Sequence, residues 1–259
     1  MNDKLAICYT CCGPTYRKTA KDKLINLHTD NDNLYYFVIT DDKSYFKGIK
    51  RKNLFVYELK DFYSEYPHLE KYEYFLDSDS AEDYGKKFNK LKYRFPFSTN
   101  RLNLVLAKKH GVTNVALLGT DTDLSIEKFN HIKEKDNRLY NSVGRWYKKI
   151  NEKNMPYVVD ILKNDFQMNV EENIMIYDAA GKLFCFESVE FMDKFFTIWD
   201  EMMVKLYEKD LIKKFQGSYA VNNEYILAPI YDAIGIKAGK TLSGLFVVKH
   251  NPKEERFWM

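Results

Sequence analysis

The stretch that most constrains this chain is Asn114-Val-Ala-Leu-Leu-Gly-Thr-Asp121-Thr122-Asp123-Leu124. From Val115 to Gly119 every residue is apolar or small, and none is charged. Such a run, with no polar residue at alternate positions, predicts a strand buried on both faces in the middle of a parallel sheet. Two carboxylates, Asp121 and Asp123, then leave its C-terminal end. In open α/β sheets ligands bind in the crevice outside that end.

The first half of the chain supplies the rest of such a sheet. Leu5 to Tyr9 is a short apolar run and predicts a strand, followed by a turn at Gly13-Pro14. Tyr16 to Leu27 has apolar residues at Ala20, Leu24 and Leu27, a helical spacing. Leu34 to Thr40 predicts a second strand, ended by Asp41-Asp42, and Asn53 to Leu59 a third. Residues 61–92 are polar and tyrosine-rich, and read as loop and short helix. Arg94 to Asn100 leads into a helix from Arg101 to His110, capped by Ser98 or Thr99 and closed by Gly111. That helix feeds the uncharged strand, as a parallel βαβ unit requires.

Beyond Asp123 the periodicity weakens, and 125–153 reads as polar, mixed chain. Met155 to Leu162 fits a strand or short helix. Asn173 to Tyr177 and Lys182 to Phe186 flank Asp178-Ala-Ala-Gly181 and predict a hairpin or strand–turn–strand. Ser188 to Lys209 predicts an amphipathic helix, with Phe191, Phe195, Ile198, Met202 and Leu206 on one face. Asn222 to Ile234 reads as a helix interrupted by Pro229, and Leu245 to His250 as a last strand. No repeat and no linker divides the 259 residues. The expectation is a single α/β domain over 1–259 with a Rossmann-like mixed central sheet flanked by helices.

Composition narrows the class. A formal charge of +3 over 40 basic and 37 acidic residues is near balance, so nothing in it demands nucleic acid. Lys43–Lys52, Lys86–Arg94 and Arg145–Lys153 are locally basic and read as solvated faces. The N-terminal residues lack the apolar core of a signal peptide, and no run reaches the about 18 apolar residues of a membrane span. A soluble, cytoplasmic protein is the expectation. Four cysteines are present. Cys8-x-x-Cys11 lacks the second pair a structural zinc needs, so reduced, structural thiols are expected, with Cys11 and Cys12 in a loop beside a ligand as the other reading.

Chemistry converges on the strand end. Alternate residues of an extended segment share a face, so Asp121 and Asp123 can hold one cation. Mg²⁺ or Mn²⁺ takes one or two carboxylates and completes its shell with phosphate oxygens and water. An exposed Asx turn is the purely structural alternative. His250 closes a second apolar strand at the same expected edge, and a neutral imidazole completes a Mn²⁺ site that two carboxylates leave open. Lys253 follows as a point charge for phosphate.

These pieces, in this order, resemble the GT-A glycosyltransferases, in particular the retaining glycogenin-like and bacterial galactosyl- and glucosyltransferases. The resemblance lies in Arg94/Arg101, Leu117-Leu-Gly-Thr-Asp121-Thr-Asp123, Ala179-Ala-Gly181 with Phe184 to Phe186, Asn222-Asn223-Glu224, and Val248-Lys-His250-Asn-Pro-Lys253 with Trp258. It implies transfer of a sugar from a nucleotide-diphosphate sugar, a UDP-sugar first, to a hydroxyl acceptor with retention. The nucleotide-sugar half would be 1–124 and the acceptor half 125–259. The base would lie near Thr10, Tyr16 and Asp41, and the diphosphate on Mn²⁺ (or Mg²⁺) held by Asp121, Asp123 and His250. Lys253 with Arg94 or Arg101 would neutralise the leaving charge. Inversion would instead need a base, for which Glu224 and Asp178 are the candidates. The acceptor, whether glycan, protein or hydroxymethylated DNA as in phage DNA modification, is left open, as is the oligomeric state. Two other classes stand beside this one. A two-metal nucleotidyltransferase would want a third carboxylate and a glycine-rich phosphate loop. A non-catalytic nucleic-acid-binding protein would use Arg145 to Lys149 and Lys43 to Lys52.

Overall fold

A computed structural model describes residues 3–11, 13–26, 31–58, 61, 95–119, 122–141, 147–150, 160–165, 167, 174–177, 181–208, 234–239 and 242–248. Its centre is a seven-stranded mixed sheet. β1 (Leu5–Cys11) lies between β2 (Leu34–Thr40) and β4 (Asn114–Leu118), parallel to both, and β3 (Leu54–Glu58) extends the sheet beyond β2. β9 (Gly181–Cys185) is antiparallel to β4 and to β6 (Arg138–Asn141), with β10 (Lys237–Ala238) outside β6. The order is therefore β10-β6-β9-β4-β1-β2-β3. The mixed α/β architecture expected from the sequence is present, with all five residues of β4 buried.

Helices cover both faces. Gly13 adopts φ +92 and its carbonyl accepts from Arg17 N–H, so the chain reverses straight into α1 (Pro14–Asn26) with proline in the first turn, where a missing N–H is harmless. Ala20 and Leu24 of α1 are fully buried in a cluster with Leu5, Ile7, Tyr9 and Cys11, the odd-numbered residues of β1. The alternate residues of β1 turn to the other face. There α2 (Phe95–Lys109) buries Leu102 and Leu106, and α4 (Val189–Glu208) sets Phe195 against Phe184 and Phe186 at 6.2 and 5.6 Å between ring centroids. A fully buried phenylalanine of this kind contributes about 2–3 kcal/mol. Ser188 caps α4 by accepting from Phe191 N–H at 3.1 Å. No helix among the described residues is long and apolar enough to cross a membrane.

Several expectations are corrected. Ser98 and Thr99 do not cap the helix before β4, because α2 already runs from Phe95 with Pro96 in its first turn. Gly111, at φ +63, does end it. β1 continues to Cys11, so Thr10 and Cys11 belong to the strand and Cys11 is buried, not in a loop. The two runs around 178–181 are strands but not a hairpin. β9 joins the main sheet, whereas β8 (Ile174–Tyr177) pairs with β7 (Tyr147–Ile150) in a separate two-stranded ladder. The region read as mixed chain after Asp123 holds α3 (Ile126–Asn130), capped by Ser125, as well as β6 and β7. The expected elements over 61–92 and 222–233 lie outside the described residues, Asp61 and its ion pair with Lys43 apart.

Past β4 the chain forms β5 (Thr122–Leu124), which pairs antiparallel with β11 (Phe246–Val248) on the α1 side of the sheet. Val248 lies opposite Thr122, Val247 opposite Asp123 and Phe246 opposite Leu124. Gly181 permits this. A Cβ there would sit 2.7 Å from Phe246 Cδ1 and 3.1 Å from Thr122 Cγ2, far inside ordinary contact.

Candidate active site at the carboxyl ends of the strands

β1, β2 and β4 end on one edge of the sheet, where β9 begins and β5 and β11 meet. Thr10 and Asp41 share this edge, since Thr10 is in register with Ile39 and Cys11 with Thr40. Thr10 Oγ1 accepts from Asn103 Nδ2 of α2 at 3.3 Å. Asn103 is 2% exposed, and its Oδ1 has no hydrogen-bond partner.

Asp41 is already engaged. Its Oδ2 accepts from Gly13 N–H at 2.9 Å and pairs with Arg17 Nη1 at 2.5 Å, and Thr40 Oγ1 donates to its Oδ1 at 3.3 Å. Asp41 thus fastens the turn between β1 and α1. Tyr16, half-buried, packs on the same turn against the core.

Asp123 is the middle residue of β5, opposite Val247, with its side chain 24% exposed. Lys23 of α1 donates to Asp123 Oδ1 at 2.7 Å and to Thr122 O at 2.8 Å. The Lys23 ammonium also lies 5.8 Å from the centre of the Tyr9 ring. Burial, and then the neighbouring Asp123 carboxylate, push the Tyr9 hydroxyl pKa well up, so this phenol stays protonated. Two cations of α1, Arg17 and Lys23, therefore each hold one carboxylate, Asp41 just past β2 and Asp123 in β5.

Arg101 lies on α2 by its backbone. Arg94, Asp121, Asp178, Glu224, His250 and Lys253 lie outside the described residues. Among the described residues no three histidine, cysteine, aspartate or glutamate side chains gather into a metal site. Asp123 is the described member of the expected ligand set. Its carboxylate is a hard oxygen donor, and its Oδ1 accepts from the Lys23 ammonium. Two carboxylates and an imidazole are a donor set that suits Mn²⁺, whereas Mg²⁺ would draw on the carboxylates alone and complete its shell with phosphate oxygens and water.

The expected basic surface is partly consumed within the fold. Lys43 pairs with Asp61 and Lys52 with Asp32, while Arg51 donates to Leu24 O and lies over the Tyr36 ring. Tyr147 to Lys149 form the β7 ladder by their backbone. The residues that sequence reasoning passed over are Lys23, Asn103, and Lys182, which is 7% exposed at the start of β9. Only Lys182 had a local signal, a lysine inside an otherwise apolar strand.

No family model and no curated protein matches the chain. Among solved structures it is similar to glycosyltransferases at low identity. An active-site mutant of LgtC matches at 12% identity and a TM-score of 0.47, over 91% of this chain and 71% of LgtC. The galactosyltransferase LgtC in complex with donor and acceptor sugar analogues matches at 11% and 0.45, over 88% of this chain and 70% of that one. The apo bifunctional glycosyltransferase WbbM matches at 11% and 0.37, over 88% of this chain and 37% of WbbM.

Proposed function

We propose that this chain is a metal-dependent glycosyltransferase that moves a sugar from a nucleotide-diphosphate sugar, a UDP-sugar first, to a hydroxyl acceptor. One observation carries the reading. β11 pairs with β5 so that Val248 lies opposite Thr122. Asp121 is one residue before Thr122 and His250 two after Val248, reaches of at most about 4 and 7 Å of extended chain. In an antiparallel pair those two directions coincide, so the ladder supports convergence of Asp121, Asp123 and His250 on one cation.

In this reading the single domain divides its work. Residues 1–124 bind the nucleotide sugar, with the base near Thr10, Tyr16 and Asp41, and 125–259 bind the acceptor. Asp121, Asp123 and His250 hold Mn²⁺ or Mg²⁺, which when bound screens the charge of the diphosphate. Lys253 with Arg94 or Arg101 neutralises the departing diphosphate, and positioning supplies most of the remaining acceleration. Retention, implied by the resemblance, lets the leaving phosphate oxygen take the acceptor proton. Glu224 and Asp178 are the bases that inversion would require.

A thermal-shift screen of nucleotide sugars tests this. Stabilisation by one nucleotide class, larger with Mn²⁺ than with EDTA, is expected. No shift with any nucleotide sugar in either condition contradicts it.

A further inference from the structure

The contact between Lys23 and Asp123 assigns a role to a residue that nothing in the strand-end motif anticipates. The Lys23 ammonium donates to two consecutive residues of β5, to the Thr122 carbonyl at 2.8 Å and to Asp123 Oδ1 at 2.7 Å. Lys23 is 14% exposed at its side chain and Asp123 24%, so the contact is largely withdrawn from water. The helix that carries Lys23 is anchored, because Ala20 and Leu24 are fully buried in the core. An ammonium has three donors and no acceptor, and two of them are spent on β5. The strand's backbone and its carboxylate are thereby tied together to α1.

We propose that Lys23 is a positioning residue for Asp123. By tethering Oδ1 and the adjacent backbone carbonyl, it fixes the carboxylate in one orientation toward the cation of the transfer reaction. This rests on the metal-dependent reading above. Ligating carboxylates are themselves hydrogen-bonded by outer groups, and removing such a group typically costs about 10- to 100-fold in metal affinity. The opposite role, an internal cation that competes with the metal, fits the contact less well. The Thr122 carbonyl remains an acceptor for Lys23 whether or not a metal binds. Two carboxylates and a diphosphate also carry more negative charge than one divalent cation cancels, so an ammonium behind one carboxylate reduces the surplus.

The test is Mn²⁺ titration of the full chain followed by electron paramagnetic resonance, with and without UDP. Lys23→Met should weaken Mn²⁺ binding about tenfold or more, and Lys23→Arg should recover part of the loss. In an Asp123→Asn background Lys23→Met should cost nothing further, because it acts through that carboxylate. Should Lys23→Met prove unfolded by circular dichroism, Lys23→Gln, which keeps one donor, should give an intermediate loss. Mn²⁺ binding that is unchanged or tightened in the folded variants overturns the inference and leaves the transferase reading standing. Failure of the unaltered chain to bind Mn²⁺, with or without UDP, overturns both.

Discussion

Lys23 on α1 and Asp123 on β5 meet at 2.7 Å across the face of the sheet, and Lys23 also bonds the carbonyl of Thr122, 99 residues away in sequence. The pair is partly buried, so losing one partner strands a charge in a site of reduced polarity. Lys23→Met and Asp123→Ala should each lower stability by about 1–2 kcal/mol, given that hydrogen bonds to charged groups contribute roughly 1.5–3 kcal/mol before solvent screening. Urea unfolding of both single variants and the double variant measures this. The double variant should be less destabilised than the sum of the two.

Gly181 is required by space and not by backbone conformation. A Cβ there would lie 2.7 and 3.0 Å from two atoms of the Phe246 ring. Gly181→Ala should cost about 1–3 kcal/mol through overpacking. Adding Phe246→Ala should relieve the clash, so the double variant should be more stable than the two single losses predict. Additive losses in thermal unfolding would mean that the β5–β11 ladder does not press on Gly181.

His110 gives the fold a pH dependence at its opposite edge. Its ring packs 4.2 Å from Phe55 and 5.2 Å from Phe37, centroid to centroid. Burial first, and the Lys4 charge second, depress its pKa below the ordinary 6.5. Between the folded value and about 6.5 the unfolded chain binds the extra proton, so stability contributed by neutral His110 is present above pH 6.5 and falls as the pH drops through the folded value. His110→Phe should flatten that part of the stability–pH profile between pH 7.5 and pH 5. An unaltered slope in the variant would assign it to other groups.

The thiols are sheltered. Cys8, Cys11 and Cys185 are buried, and burial pushes the Cys11 and Cys185 pKa values up to about 12. At pH 8 these three should resist a thiol reagent in the native state and react once the chain is unfolded. Rapid labelling of Cys185 in the native protein would contradict the packing of β9.

How much of this was legible in the sequence follows from where each signal lives. β2 matches its expected span, Leu34–Thr40, because an unbroken apolar run is closed by two aspartates. β4 and α4 were legible for the same reason, a period or run dense enough to outvote local noise. β6, Arg138–Asn141, was not, since its short and mixed composition acquires meaning only once it lies beside β9. Nor does alternation choose a partner, which is why the sequence leaves β8 and β9 as a hairpin or a strand–turn–strand and cannot tell that they join different ladders. In the candidate site the place of Asp123 shortly after β4 was legible, because the run before it is uncharged, but its position in the middle of a further short strand, β5, was not. Its partner was not. A lysine in the last turn of a helix looks like any solvated residue until the fold brings β5 to it.

The most direct measurement is release of nucleoside diphosphate from a panel of nucleotide sugars, with Mn²⁺ and with EDTA, by the full chain and its Asp121→Asn and Asp123→Asn variants. Metal-dependent release from one nucleotide class, lost in EDTA and reduced by at least about tenfold in both folded variants, is the predicted result. Release that is indifferent to EDTA and to both substitutions, or no release from any nucleotide sugar, would contradict it.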